Sequence, residues 1–441
     1  VLSSYRRIFA APGTRGFSAA GFVARMPLSM TGIGVVTMLS QLRGEYGIAG
    51  AVSAVMALSG AVLSPQISRL ADRYGQRRVA LPASGVAAAG VLALLACARW
   101  SAPVWTLFVC AVAAGGLPSM GALVRARWAH LYRGTPLLHT AYSFESVVDE
   151  LCFITGPILS IGLCTGLFPE AGPLLSACFL IAGYTLFTAQ RGTEPPAHPR
   201  VADAPRVRGG ALGSVGLRVL TGTFVAVGAV FGSVDVVTVA FAGAENHKSA
   251  SSVVLALYAA GSCVSGVVFG TLRLRGEPAR RFLVCVGVMA LSMLPLLVVK
   301  NLVALAAVLF VAGLSISPLM VTTMGLVERL VPAAQLTEGM SWTTTGLAVG
   351  VAAGSSAGGW VVDRAGAADG YLVTVVAGVL AAATAFLGVS RLDPAREHEG
   401  TVEAHGGELR SGIGTAEADG LGRLPGEPRG ATGVPLEGQP G

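Results

Sequence analysis

The sequence predicts an all-α membrane fold of about twelve transmembrane helices arranged as two pseudo-symmetric six-helix bundles. Three observations carry that prediction. The 441 residues are 53% hydrophobic and only 12% charged, whereas a soluble domain is roughly 25% charged, so lipid rather than water must cover most of the surface. The apolar residues fall into blocks of about the length that crosses a bilayer, roughly 20 residues. One long polar connection divides those blocks six and six.

In chain order the blocks lie near residues 17–40, 46–66, 79–98, 103–124, 141–166 and 171–189 in the first half. In the second they lie near 218–242, 250–271, 281–300, 302–325, 340–362 and 371–390. Backbone groups in lipid must be satisfied within their own segment, so each block is expected to be a helix. The even number places both termini on one side. Arg25 lies inside the first block and no small-residue cleavage site follows it, so this block is expected to be a retained span rather than a signal peptide.

The formal net charge of +7 reads as topology, not as nucleic-acid binding. Twenty-five of the 31 basic residues fall in every second connection, five in the alternate ones, and Arg25 stands alone within a span. Basic residues collect on the cytoplasmic side. Both termini are therefore expected in the cytoplasm and the chain in the cell membrane, with the lipid bilayer as its partner and no nucleic acid.

All seven cysteines lie in apolar blocks without a C-x-x-C pair, which reads as small buried hydrophobes rather than disulfides. The six histidines fall outside the blocks, so no metal or haem site is expected, and no cofactor. A Gly-rich phosphate loop with its Lys is missing as well. Nothing marks an enzyme.

Residues 1–190 form the first predicted bundle, 191–217 a cytoplasmic linker with Pro195, Pro196, Pro199 and Pro205, and 218–391 the second bundle. Residues 392–441 are rich in Gly, Pro and Glu and are expected to be a disordered tail. A shift of 202 residues superposes the first span on the seventh, Arg73 on Arg275, Arg78 on Arg280 and Thr140 on Trp342. Parallel repeats of this kind recur in transporters.

Between the second and third blocks runs Ser68-Arg69-Leu70-Ala71-Asp72-Arg73-Tyr74-Gly75-Gln76-Arg77-Arg78. Gly75 permits a chain-reversing left-handed turn, and Asp72 can pair with the arginines or a nearby helix N-terminus. The string closely resembles the signature loop of the major facilitator superfamily, G-x-L-A-D-R-x-G-R-R, departing at Ser68 and Gln76. The resemblance extends over residues 1–391 through the span count, the central linker and the halves. It implies a conformational latch formed by Asp72, Arg73, Gly75, Arg77 and Arg78 that holds the halves in the outward-facing state. In the second-half copy, Gly270 to Arg281, Leu274 replaces the Asp.

In the fifth span, Gly156-Pro157 resembles an element of the superfamily's antiporters and also reads as a plain packing kink. The fourth span has Ala113-Ala114-Gly115-Gly116-Leu117-Pro118 in place of the Arg-x-x-Gln-Gly of many drug antiporters. Glycines every fourth residue from Gly346 to Gly358 make a smooth face on the eleventh span, expected to slide against the other bundle.

Charges within the membrane cost roughly 2.5–3.5 kcal/mol each at a helix centre, so they need partners or a function. Glu145 and Asp149, four residues apart, share a helix face; Glu150 is turned away from it. Asp149 lies about 13 Å and Arg25 about 12 Å from the cytoplasmic ends of their spans, which predicts an Arg25–Asp149 pair, with Glu145 nearer Arg125 and Arg127. Two readings stand: a buried ion-pair network, or a carboxylate that exchanges a proton during transport. The seventh span commonly lines the cavity in the superfamily, so Asp235 is implied as a substrate-cavity candidate for a cationic or hydroxylated substrate.

The resemblance implies a secondary active carrier of a small organic molecule, working by alternating access. On this reading it is a monomeric, proton-coupled exporter of a drug or metabolite. An importer or facilitator of a sugar-like or other small metabolite, and a non-transporting receptor or scaffold, are the alternatives.

Overall fold

In the computed structural model, residues 2–43, 46–197, 210–245, 247, 250–272 and 277–392 are described. The tail beyond Leu392, the middle of the linker and Leu274 lie outside the described residues. Among those described, every regular element is helical: a short α1 (Leu2–Ile8) and then α2 (Thr14–Arg43), α3 (Tyr46–Tyr74), α4 (Gln76–Arg99), α5 (Val104–Gly115), α6 (Met120–Tyr132), α7 (Pro136–Gly166) and α8 (Ala171–Ala189). The second half holds α9 (Val215–Ala244), α10 (Ala250–Phe269), α11 (Pro278–Met293), α12 (Leu302–Gly313), α13 (Ile316–Leu330), α14 (Leu336–Ala365) and α15 (Ala367–Gly388). Taking α5 with α6 and α12 with α13, twelve stretches are long and apolar enough to cross a membrane.

The helices overrun the apolar blocks at their basic ends. Lipid demands apolar side chains only over its hydrocarbon thickness, whereas helical hydrogen bonding continues past it. The motif around Asp72 is consequently not a loop. Its first part is the last turns of α3, its last part the first turn of α4, and Gly75 alone, at φ +94°, turns the chain between them. Two histidines assigned outside the spans, His130 and His139, likewise sit on the helical extensions of α6 and α7. The cysteines are also less uniformly buried than expected: Cys152 and Cys164 are buried, but Cys178 is exposed.

Two spans are broken in mid-course. The fourth is interrupted at 116–119, where Pro118 has no N–H to donate; Tyr184 donates to the freed Pro118 carbonyl at 2.6 Å. The tenth breaks at Leu314 and Ser315. In contrast, α7 runs unbroken through Pro157. Beside it Gly156 admits α2, since a Cβ there would lie 2.9 Å from that of Ser29.

Within the first half α2 packs on α3, α7 and α8, and α4 on α5 and α8. Within the second, α9 packs on α14 and α15, and α10 on α12. The glycine stripe of α14 belongs to this last bundle. A Cβ on Gly354 would stand 2.5 Å from the Ala229 Cα, and one on Gly232 of α9 would stand 2.8 Å from the Val351 carbonyl carbon. The expected sliding surface between bundles is thus a close, two-sided seam inside the second one. Sequence periodicity shows that a face is smooth but not which neighbour it meets.

The halves meet through α3 on α14, α6 on α14, and α7 on α10 and α13. Contacts between them gather at the face that carries Gly75, called here the basic face.

Candidate functional site

Arg25, four residues past Gly21 on α2, is 4% exposed and reaches two carboxylates of α7. It pairs with Glu145 and, at 3.2 Å, with Asp149. Asp149 also takes Arg125 of α6 at 2.6 Å. Glu145, 1% exposed, accepts from the indole Nε1–H of Trp128 at 2.6 Å. Two arginines and two carboxylates thus close a neutral four-charge network linking α2, α6 and α7. The i, i+4 spacing of Glu145 and Asp149 places both on the face that Arg25 occupies.

Arg127 does not join them, contrary to the expectation that it would lie near Glu145. It is two residues from Arg125 and therefore on another face of α6. Fully buried, it donates to Gln76 Oε1 at 2.8 Å, to the Gln190 carbonyl at 2.8 Å and to Thr193 Oγ1 at 2.9 Å. Its guanidinium lies 3.8 Å from the centre of the Phe187 ring, a cation–π contact. Gln76, a departure from the superfamily pattern, is what receives it. Arg127 thereby ties the start of α4 and the start of the linker to α6. No string in the sequence marks this, because its partners are separated from it by some fifty to sixty-six residues.

The latch candidates divide. The Asp72 carboxylate accepts from the Glu338 backbone N–H at 2.9 Å, so it caps α14 of the other half across the basic face. Arg69 lies 3.8 Å from Glu338, and the Ser64 and Ser341 hydroxyls are 3.4 Å apart deeper on the same seam. Arg77 uses its backbone N–H to bind Glu194 of the linker at 2.9 Å. Arg73 stacks on its neighbour Tyr74, 4.8 Å from the ring centre, and Arg78 is exposed. Only Asp72 among the five spans the halves; Gly75 supplies the turn that presents it.

The pseudo-symmetric seam is built differently. Thr140 of α7 donates to the Gly270 carbonyl at the end of α10 at 2.8 Å, and His139 Nε2 lies 2.8 Å from the Phe269 carbonyl. Arg133 pairs with Glu328 at 2.5 Å nearby. Tyr5 of α1 donates to the Val267 carbonyl at 3.0 Å, and burial pushes its phenol up to about 12, so it remains a donor. On this seam the Thr140, His139 and Tyr5 side chains meet backbone carbonyls at the end of α10.

Glu150, turned away from the arginines, faces the second half instead. It accepts from Ser262 Oγ of α10 at 2.7 Å, and Ser262 lies 3.0 Å from Ser317 of α13. Asp235 on α9 is exposed and has no hydrogen bond or ion pair among the described residues. Among the described residues neither carboxylate has a cation beside it. The described residues contain no cluster of three or more His, Cys, Asp or Glu side chains suited to a metal.

The chain's likenesses agree with this geometry. A family model described as Major Facilitator Superfamily matches residues 17–303 and 223–423. The fold is similar to that of a bacterial homologue of the iron transporter ferroportin in its outward-facing state, at TM-score 0.68 and 15% identity, covering 86% of this chain and all of that one. It is also similar to the human organic anion transporter MFSD10, at TM-score 0.66 and 15% identity, covering 87% of this chain and all of that one. Among curated proteins none matches the chain.

Proposed function

We propose that this chain, which belongs to the Major Facilitator Superfamily of transporters, is a proton-coupled exporter of a small organic molecule. It works in the plasma membrane of a prokaryote with both termini in the cytoplasm. The observation that carries the reading is the cap that Asp72 places on α14. It is one of several contacts that join the halves at that face, beside Arg69–Glu338, Arg133–Glu328 and Thr140–Gly270; a cap of this kind is worth about 1 kcal/mol, enough to bias a two-state equilibrium and little enough to break in each cycle. With the basic face cytoplasmic, the conformation is closed inward.

In this reading Arg25, Glu145, Asp149 and Arg125 hold the first half together, since each carboxylate already has a cation. Glu150 is the coupling group. Its hydrogen-bond partner among the described residues is a neutral hydroxyl, and an uncompensated carboxylate in a low-dielectric site must take up a proton or a cation. Asp235 faces the cargo.

The test is flux across liposomes under an imposed pH gradient, screened over cationic, neutral and anionic compounds. Export reads as proton-driven movement of a compound away from the side that carries the termini. Uptake in the opposite direction would make the chain an importer, and gradient-independent flux would remove the coupling. Deleting residues 393–441 is expected to leave flux unchanged; loss of every activity with the tail would favour a receptor or scaffold.

A further inference from the structure

We propose that Asp235, Glu150 and Tyr258 together form a binding site for a hydrophobic organic cation, a reading that rests on the chain being a carrier. Tyr258 lies on α10, the helix that packs against α7, α9, α12 and α13. It is 7% exposed, yet its hydroxyl has no hydrogen-bond partner. A buried phenol normally finds one. The hydroxyl is within electrostatic range of both the Asp235 and the Glu150 carboxylates, which stand on opposite halves of the molecule.

Helical spacing organises the surroundings. Ser262 is one turn from Tyr258 on the same face of α10 and holds Glu150 at 2.7 Å. Phe231 is one turn from Asp235 on the same face of α9, and its ring meets the Tyr258 ring edge-on at 6.3 Å. Two carboxylates therefore flank two aromatic rings, with no arginine or lysine among the described residues beside either acid. Contrast the Arg25 network, which begins at the adjacent residue Asp149 on another face of α7 and in which every carboxylate is neutralised by the protein itself. The break between α12 and α13 falls just before Ser317, which bonds Ser262 at 3.0 Å; irregular backbone at mid-membrane depth is tolerated where it borders a cavity.

The chemistry that completes this arrangement is a positive charge with an apolar body. Rings stabilise such a cation through their faces, the acids neutralise it, and the unpartnered phenol supplies a polar contact. An anionic cargo would meet like charge from both sides.

A matched pair of ions tests the idea in the full chain, held in lipid nanodiscs. Tetraphenylphosphonium and tetraphenylborate have the same bulk and opposite charge. The parent is expected to bind the cation at least tenfold more tightly than the anion, after subtraction of empty nanodiscs. Asp235→Asn is expected to weaken cation binding at least tenfold and Tyr258→Phe several-fold, while Asp369→Asn, exposed at the start of α15, leaves it unchanged. Equal or tighter binding of the borate, or cation binding untouched by both substitutions, would overturn the site. Should Asp235→Asn not fold, Tyr258→Phe decides alone, since it removes only an unpartnered oxygen. The liposome flux assay separates the two readings. Flux of neutral or anionic compounds without cation binding removes the site and keeps the carrier; cation binding without flux of any compound does the reverse.

Discussion

Replacing Arg25 with Met probes the buried network directly. The guanidinium serves Glu145 and Asp149 together, and both it and Glu145 are almost fully enclosed. In its absence Asp149 keeps Arg125 at 2.6 Å, but Glu145 is left with one neutral donor, the Trp128 indole. Removing one partner of a buried pair costs about 3–5 kcal/mol, because an uncompensated charge stays behind. At roughly 2–4 °C per kcal/mol for a unit of 150–250 residues, the apparent unfolding midpoint of the purified protein should fall on the order of 10 °C. The double variant Arg25→Met with Glu145→Gln removes both charges and keeps an acceptor for Trp128. It should recover most of the loss, and the difference between the two measures the coupling. A single variant that melts within about 1 °C of the parent, or a double variant that falls as far as the single, would refute the network as drawn.

Other outcomes follow from the same contacts. Glu150→Gln should uncouple flux from the pH gradient while the stability stays within about 1 kcal/mol of the parent, because Gln still accepts from Ser262; gradient-driven flux at the parent rate would clear Glu150 of that role. Cysteines at Ser64 and Ser341, whose hydroxyls are 3.4 Å apart, should cross-link on oxidation, stop transport, and regain it on reduction. Transport continuing in the cross-linked protein would mean that this seam does not open. Gly354→Leu would drive side-chain atoms into the Ala229 backbone and should destabilise the second bundle by at least the ~1–3 kcal/mol of ordinary overpacking, seen as a lower midpoint; Gly359→Leu, whose Cβ would meet only Val236 at 3.8 Å, is the control that should melt like the parent.

Much of the fold is legible in the order of residues alone. Bilayer-length apolar blocks, the excess of arginine in alternate connections and the Asp72 motif are properties of order along the chain, and each block became helical, the fourth and tenth as two helices apiece. The Arg25–Asp149 pairing was also legible, because equal depth in parallel spans is a matter of counting residues. Residues with a conspicuous charge were found; Tyr258, Ser262, Trp128 and Tyr5 were not, since a hydroxyl or indole in an apolar block carries no signal until its neighbour is known.

Tertiary structure alone decided the partners. Helix rotation and tilt sent Arg127 to Gln76 rather than to Glu145, turned the α14 glycines onto α9, and carried Asp72 to the N-terminus of α14. Along one helix, spacing fixes which residues share a face, because the backbone repeats every 3.6 residues. Which other helix that face meets is set by packing among all twelve spans. The sequence by itself therefore determined a membrane chain of two bundles with acids inside its spans; only the packed helices decided which acids found arginines and brought Glu150 and Asp235 within electrostatic range of one buried phenol.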